Sequence, residues 1–516
     1  TLENMLFYDK TFNDKHTLGV TLLQSVQEDK KENVNVAVEN LPADNLKYYD
    51  MGSGLVTNTI GSSMIKWNMA SFMGRINYNY LGRYLLTVSA RYDGSSRLAD
   101  GHKWVLFPSA ALAWRINEES FMSSTSGWLD NLKLRLGFGK TGNSAVDPYQ
   151  TKGTLSLIRY PFDNGASGTI GYAPNAMANS LLTWETTDQW NLGIDFGVLR
   201  GRINGTIDLY MQNTHDLLLK RQLPVVSGFS DVLSNVGKTR NKGIEVSINS
   251  VNINTKDFQW TTDLMLSSNK EEIVELYNGK NDDIGSKWFI GQPVNVHYDY
   301  KKVGIWQNTE SDLAEMAKFA ANGTDFAPGD IKIQDVNGDY KITDADKQIL
   351  GNPRPKLIAS MVNTFNYKGF DLSVFLYASF GAMLYNDIYA VEHCGRNGGV
   401  KVDYWTPNNP TNAYPRPSID EERPIYITST YYEKADFLRV KTMTLGYTLP
   451  KDLTKKFLVE KLRVYFTAQN PFVFTNYTGI DPEAAKVDDA GNPKTDGSGF
   501  GTPSVSSWIF GINLTL

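Results

Sequence analysis

In the segment Tyr84, Leu86, Val88, Ala90, Tyr92 every second residue is apolar, and the residues between them, Leu85, Thr87, Ser89, Arg91 and Asp93, are mostly polar. A period of two sends successive side chains to opposite faces, which marks a β-strand. The rhythm returns in Leu132, Leu134, Leu136, Phe138 and in Trp190, Leu192, Ile194, Phe196, Val198. It closes the chain with Trp508, Phe510, Ile512, Leu514 and Leu516. Rhythm and turn signals together predict about sixteen strands. They fall over 3–12, 17–38, 64–81, 83–93, 104–117, 130–141, 184–199, 202–220, 239–253, 257–275, 294–306, 356–368, 370–385, 436–449, 458–474 and 504–516. Many are twice the length of an ordinary strand of about five or six residues. A tilted strand crosses a bilayer core in about 9–11 residues. The expected fold is therefore all-β: a transmembrane antiparallel β-barrel, apolar face toward lipid and polar face toward a wet lumen.

Connections alternate in length. Asn13-Asp14, Leu81-Gly82, Arg200-Gly201, Thr255-Lys256, Lys368-Gly369 and Lys451-Asp452 mark tight turns. Between them lie the long segments 40–63, 144–183, 221–238, 307–355, 386–435 and 475–503. Short periplasmic turns and long extracellular loops are the habit of outer-membrane barrels, and binding is expected on the loops. One helix is predicted, over 310–321, with Ser311 as its cap and Leu313, Met316, Phe319 and Ala320 on one face.

Composition narrows the choice of function. Mean hydropathy is -0.34, and no apolar run is long enough for a membrane helix. A barrel escapes that criterion because only alternate residues meet lipid. Aromatic residues make up 12% of the chain, rich enough for interfacial girdles or sugar-stacking surfaces. A net charge of -5 argues against nucleic-acid binding, which needs a basic stripe. The lone cysteine, Cys394, beside His393, permits no disulfide framework and reads as part of an ordinary loop pair. No signal peptide precedes Thr1, and the first residues already read as strand, which suggests a start partway through a longer protein.

The sharpest chemical pattern is the insertion 335–346, Asp-Val-Asn-Gly-Asp-Tyr-Lys-Ile-Thr-Asp-Ala-Asp. Asp335, Asn337, Asp339 and Asp346 stand where a calcium loop places side-chain oxygens, and Lys341 where it offers a main-chain carbonyl. Tyr340 replaces the usual glycine, and Asp346 the longer glutamate. A structural calcium ion that rigidifies the loop is expected; the competing reading is an acidic turn held by Asx hydrogen bonds. Loop aromatics beside amides, Trp405 to Pro410, Tyr414 to Pro417, Tyr426 and Tyr431-Tyr432, suit sugars or peptides, or pack upon one another. No nucleophile elbow, phosphate loop or zinc motif is present, so no enzyme is expected and catalytic residues are none. No substrate-binding residue is assigned.

Several stretches, in order, resemble the C-terminal barrel half of SusC/RagA-type TonB-dependent outer-membrane transporters. They include Arg91-Tyr92-Asp93-Gly94-Ser95-Ser96-Arg97, Gly139-Lys140-Thr141-Gly142-Asn143, Trp184-Glu185-Thr186-Thr187 and Asn241-Lys242-Gly243-Ile244-Glu245. The series continues through the 335–346 loop, Gly351-Asn352-Pro353-Arg354-Pro355, Phe437-Leu438-Arg439-Val440 and Gln469-Asn470-Pro471. The resemblance implies a barrel of about 22 strands, a plug that contacts a TonB complex, a SusD-like surface lipoprotein, and import of glycan or peptide oligomers through a Gram-negative outer membrane. On that reading residues 1–516 are the C-terminal portion of the barrel, with plug and first strands on a preceding segment. Two rivals stand beside it. One is a self-contained passive porin of about sixteen strands, in which 3–12 pairs with 504–516; the other is a secreted calcium-binding adhesin or glycan-binding β-protein.

Overall fold

The computed structural model describes residues 1–43, 45, 47–161, 168–386, 401–418, 424–483 and 503–515. His393 and Cys394 lie outside the described residues. One antiparallel sheet of fifteen strands, each beside its successor, dominates the fold. The strands are β1 (Leu2–Phe12), β2 (His16–Glu39), β3 (Leu55–Tyr80), β4 (Tyr84–Ser95), β5 (Trp104–Arg115), β6 (Leu129–Asn143), β7 (Glu185–Val198) and β8 (Ile203–His215). They continue as β9 (Lys238–Asn254), β10 (Phe258–Glu275), β11 (Leu357–Tyr367), β12 (Phe370–Phe380), β13 (Phe437–Thr448), β14 (Lys461–Thr475) and β15 (Ser507–Thr515). β1 and β15 occupy the two ends of the sheet order and do not pair with each other among the described residues, unlike the pairing that the passive-porin rival requires.

The two faces sort as the rhythm predicted. Phe72, Val88, Leu112, Leu136, Trp190 and Ile512 are all exposed on one face. In water such a surface would be a liability; in a bilayer it is solvated by lipid. The opposite face is hydrogen-bonded: Ser89 and Ser109 hydroxyls meet at 2.6 Å, and Thr87 donates to Asn77 at 2.9 Å. Aromatic rings rim the apolar band at both ends. Tyr80, Tyr84 and Trp114 follow one another at the turn end with ring centroids 6.3 and 6.4 Å apart. Tyr92 and Trp104 stack at 4.9 Å toward the loop end. Trp104 and Trp114 bracket β5, and a tilted strand of that length spans about 25 Å of membrane.

Connections at the Tyr84 end are mostly compact; the link from β5 to β6, 116–128, is longer and holds two short 3-10 turns, Ile116–Glu118 and Ser120–Thr125. Asn13 and Asp14 (φ 50° and 53°) reverse β1 into β2 with both residues left-handed, the backbone of a tight hairpin turn. The link after β13 is longer than the predicted tight turn, a helical turn Lys451–Thr454 followed by Lys455–Phe457. The opposite connections are long and partly folded.

Three strand predictions change there. Segment 294–306 is no barrel strand. It divides into His297–Asp299, paired with Gln348–Gly351, and Lys302–Ile305, paired with Ile331–Ile333, both inside the loop after β10. The run 202–220 leaves the barrel at Asp216 (φ 57°), and Leu218–Gln222 pairs with Asp231–Asn235 instead. The run 370–385 breaks at Gly381 (φ 89°), after which Met383–Tyr385 pairs with Tyr432–Lys434. The helix spans Glu310–Ala321 as predicted, but Thr309 caps it, its hydroxyl accepting from the Asp312 amide. Only Met316 and Phe319 are buried; Leu313 and Ala320 face out.

The buried cores therefore sit in the loops. Ile305, Ile331, Ile333, Trp405, Ile427 and Tyr431 form one. Leu98, Phe107, Val146, Leu182 and Trp184 form a second, where the loop after β6 folds onto the rim.

Candidate binding surfaces of the loop end and lumen

The lumen wall is built from paired charges. Arg135 on β6 bonds Asp195 on β7 at 2.8 Å and Asp208 on β8 at 3.1 Å. Arg463 on β14 crosses β13 to Asp371 on β12, with its Nε 2.9 Å from Oδ1. Arg240 Nε donates to Asn213 (2.8 Å), and His215 lies 2.9 Å from Asp188. Paired charge of both signs makes a polar wall without one dominant sign, suited to a neutral or mixed polar solute.

The predicted calcium loop folds tightly around its own acids. Asp335 accepts from the amides of Gly338 (2.7 Å) and Tyr340 (2.8 Å). Asn337 accepts from the Asp339 amide, and Asp339 from the Lys341 amide. Asp346, fully buried, accepts from the amides of Val336 (2.9 Å) and Thr343 (2.8 Å). Tyr340, at the position usually glycine, adopts the left-handed conformation that position demands (φ 57°). Its ring packs edge-on to Phe319 at 5.5 Å, which offsets the strain. The Asx network predicted as the competing reading is thus present. Among the described residues no group of three or more His, Cys, Asp or Glu side chains is gathered as a metal cage.

The loop aromatics turn inward. Trp405 is buried, its indole donating to Gln307 (2.8 Å), and Tyr431 belongs to the same core. Arg416 pairs with Asp330 at 2.9 Å. Of the two readings of these aromatics, self-packing describes Trp405 and Tyr431.

Three features escaped the sequence. His297 is buried, with Nε2 2.7 Å from the Met383 carbonyl and its ring against Tyr432. Burial pushes its pKa down, and Lys287 adds to the effect. Burial raises Tyr432, whose hydroxyl donates to Asp299 at 3.1 Å. Burial also lowers Lys302 to about 8. The third feature is a cavity of about 500 Å³ on the rim, among Lys66, Trp67, Asn68, Lys103, Tyr149 and Lys152. Its side chains come from three separate segments, so no local pattern announced it.

The TonB dependent receptor-like, beta-barrel family matches residues 6–470. The chain belongs to that family. It is 32% identical over 530 residues to the TonB-dependent receptor P3 of Formosa agariphila, covering 99% of this chain and 52% of that protein. It is 34% identical over 464 residues to the TonB-dependent receptor SusC of Bacteroides thetaiotaomicron, covering 86% of this chain and 43% of SusC. The chain thus spans about half the length of the curated relatives it matches. The structure of the RagAB peptide transporter superposes with a TM-score of 0.82 at 23% identity, covering 99% of this chain and 55% of that one. That likeness establishes the fold. As a family member, the chain is an outer-membrane β-barrel of a Gram-negative cell. The relatives are named as receptors or transporters rather than enzymes.

Proposed function

We propose that this chain forms the C-terminal part of the barrel of an energy-coupled importer of nutrient oligomers, glycans or peptides. A plug on another part of the protein would gate the lumen and take energy from a TonB complex. A SusD-like lipoprotein would cover the loop end. The observation that carries the reading is the division of the sheet into a compact turn end and a folded loop end around a polar, ion-paired lumen. The family relationship supports it, as does the linear strand order, which leaves both edge strands free for the further strands of a barrel of about 22. The secreted-adhesin rival does not suit a sheet whose outer face carries so broad an exposed apolar band.

Uptake of labelled glycan and peptide oligomers by cells carrying the full-length protein tests the proposal. Uptake should stop when the proton-motive force is collapsed, while surface binding persists. Uptake that continues without energy would establish a passive porin instead.

We further propose that the 335–346 loop holds a structural calcium ion through Asp335, Asn337, Asp339, the Lys341 carbonyl and Asp346. The ligand spacing and the left-handed Tyr340 support this. Calcium would supply a fixed positive centre that cross-links the loop, with no part in transport chemistry.

A further inference from the structure

β3 rises above β4. β4 ends its pairing at Ser95 with Met69, while the β2–β3 ladder continues to Glu39 and Leu55. The β3 edge beyond β4 is at first covered rung by rung. Asn68 donates to Ser96 Oγ (2.8 Å), and the Ser96 amide donates back to the Asn68 carbonyl (2.9 Å). One rung higher, the Tyr149 hydroxyl accepts from the Lys66 amide and donates to the Lys66 carbonyl, both at 3.2 Å. Tyr149 does this from a left-handed backbone (φ 72°), a conformation rare for a side chain of its size. A phenol here takes the place of a peptide group.

Above that rung the covering stops. Strand geometry turns the amide and carbonyl of Met64 and Ser62 the same way as those of Lys66 and Asn68. Among the described residues nothing bonds them. An uncovered edge is a template for another strand. Its donors and acceptors recur every second residue, about 6.8 Å apart, a spacing that a polypeptide backbone matches and a sugar chain does not.

The rim cavity opens at the foot of this edge. Lys103 pairs with Asp100 at 2.5 Å and Lys66 with Glu28 at 3.0 Å, whereas Lys152 has no ion pair among the described residues. Trp67 carries the Arg97 guanidinium 3.9 Å from its ring centroid. The cavity thus combines aromatic walls with surplus positive charge.

We propose that the open edge of β3 at Ser62 and Met64 binds an extended peptide by strand addition, with an acidic side chain or the C-terminal carboxylate seated among Lys66, Lys103 and Lys152. The proposal rests on the importer reading and assigns its substrate class. Backbone pairing gives affinity independent of sequence, and the cavity adds a preference for an acidic end.

Calorimetry on the full-length protein in detergent tests it with defined probes. They are an octapeptide of alternating Thr and Val with a free C-terminus, its C-terminal amide, and two versions N-methylated at odd or at even residues. The parent should bind, and at least one methylated version should bind about tenfold or more weakly. The Lys66→Gln, Lys152→Gln double variant should lose the preference for free acid over amide. Ser62→Pro removes only an outward amide, spares the β2–β3 ladder and should weaken the parent alike. Binding of both methylated versions as tightly as the parent, or no binding of the parent, overturns the proposal. So does trigalacturonate binding that needs Lys66 and Lys152 when the peptide does not bind, which would make the cavity an anionic-glycan site. These measurements need no energised membrane. Failed energy-dependent uptake with intact methylation sensitivity would count against the importer reading alone.

Discussion

The guanidinium of Arg135 lies over Gly193, so that a Cβ there would sit 2.6 Å from Arg135 Cζ and 2.7 Å from the Asp208 carboxylate. The glycine is the gap through which an arginine on β6 reaches an aspartate two strands away. Arg463 repeats the device over Gly446 to reach Asp371. Gly205 differs, because there the obstruction includes the Ser247 carbonyl at 2.6 Å. A flexible guanidinium can move and a ladder carbonyl cannot. Gly193→Ala should therefore cost no more than about 1 kcal/mol, the share of the displaced ion pair. Gly205→Ala should cost about 1–3 kcal/mol through overpacking. The temperature at which each folded barrel loses its fast gel migration should rank them wild type, Gly193→Ala, Gly205→Ala.

The barrel was legible because lipid and lumen impose opposite demands on alternate residues, and Leu132 to Phe138 or Trp190 to Val198 can satisfy both only as strands. Segment 294–306 was misread because a short alternating run looks the same in a loop sheet as in a membrane; His297 and Ile305 alternate into a loop core, not into lipid. Thr309 rather than Ser311 caps the helix because its hydroxyl reaches the Asp312 amide. The aromatic content of 401–435 was visible, but whether Trp405 points at a ligand or at Ile305 depends on the distant loop folded against it. The rim cavity was invisible for the same reason: Lys66, Lys103 and Lys152 lie far apart in sequence.

His297 makes one loop contact sensitive to acid. Burial depresses its folded pKa below 6.5, so the unfolded loop binds more protons once the pH falls below that value. The stability it contributes is present above pH 6.5 and is lost as pH falls toward the folded value. Amide exchange in 297–305 should accelerate between pH 7.5 and 5 by a larger factor in the wild type than in His297→Gln, after correction for intrinsic rates. Equal acceleration would remove His297 from the account.

Calcium binding separates from loop folding at Asp339. Its carboxylate accepts from the Lys341 amide, a bond that the side-chain carbonyl of asparagine also makes. Asp339→Asn should keep the loop fold while weakening calcium about tenfold or more through loss of one charged ligand. Asp346→Ala should loosen the loop even in chelator, because its buried carboxylate bonds the amides of Val336 and Thr343, at about 0.5–1.5 kcal/mol for each bond lost. Terbium luminescence against calcium, with Tyr340 as sensitiser, reads the first effect, and proteolysis in chelator reads the second. No terbium signal from the wild type would leave the loop held by its Asx bonds alone.

Arg439 anchors the segment that follows β14. Its side chain and that of Asp481 are almost fully buried, with Nη2 2.5 Å from Oδ1. Burial pushes the Asp481 pKa up, but the amides of Glu483 and Ser504 and the Arg439 charge hold it below the usual carboxylate range. The pair thus ties β13 to residues on both sides of 484–502. Removing Arg439 leaves the buried Asp481 carboxylate unpaired, at a cost of about 3–5 kcal/mol; removing Asp481 costs less, because Glu483 stays 3.1 Å from Arg439 Nε, and removing both leaves neither buried charge. Arg439→Met and Asp481→Asn should each accelerate amide exchange in 477–483 and lower the unfolding temperature. The double variant should be more stable than the sum of the two losses predicts. Strict additivity would mean that the two groups act separately, and the anchor would then have to be sought in the Asp481 amide bonds and the Arg439–Glu483 pair.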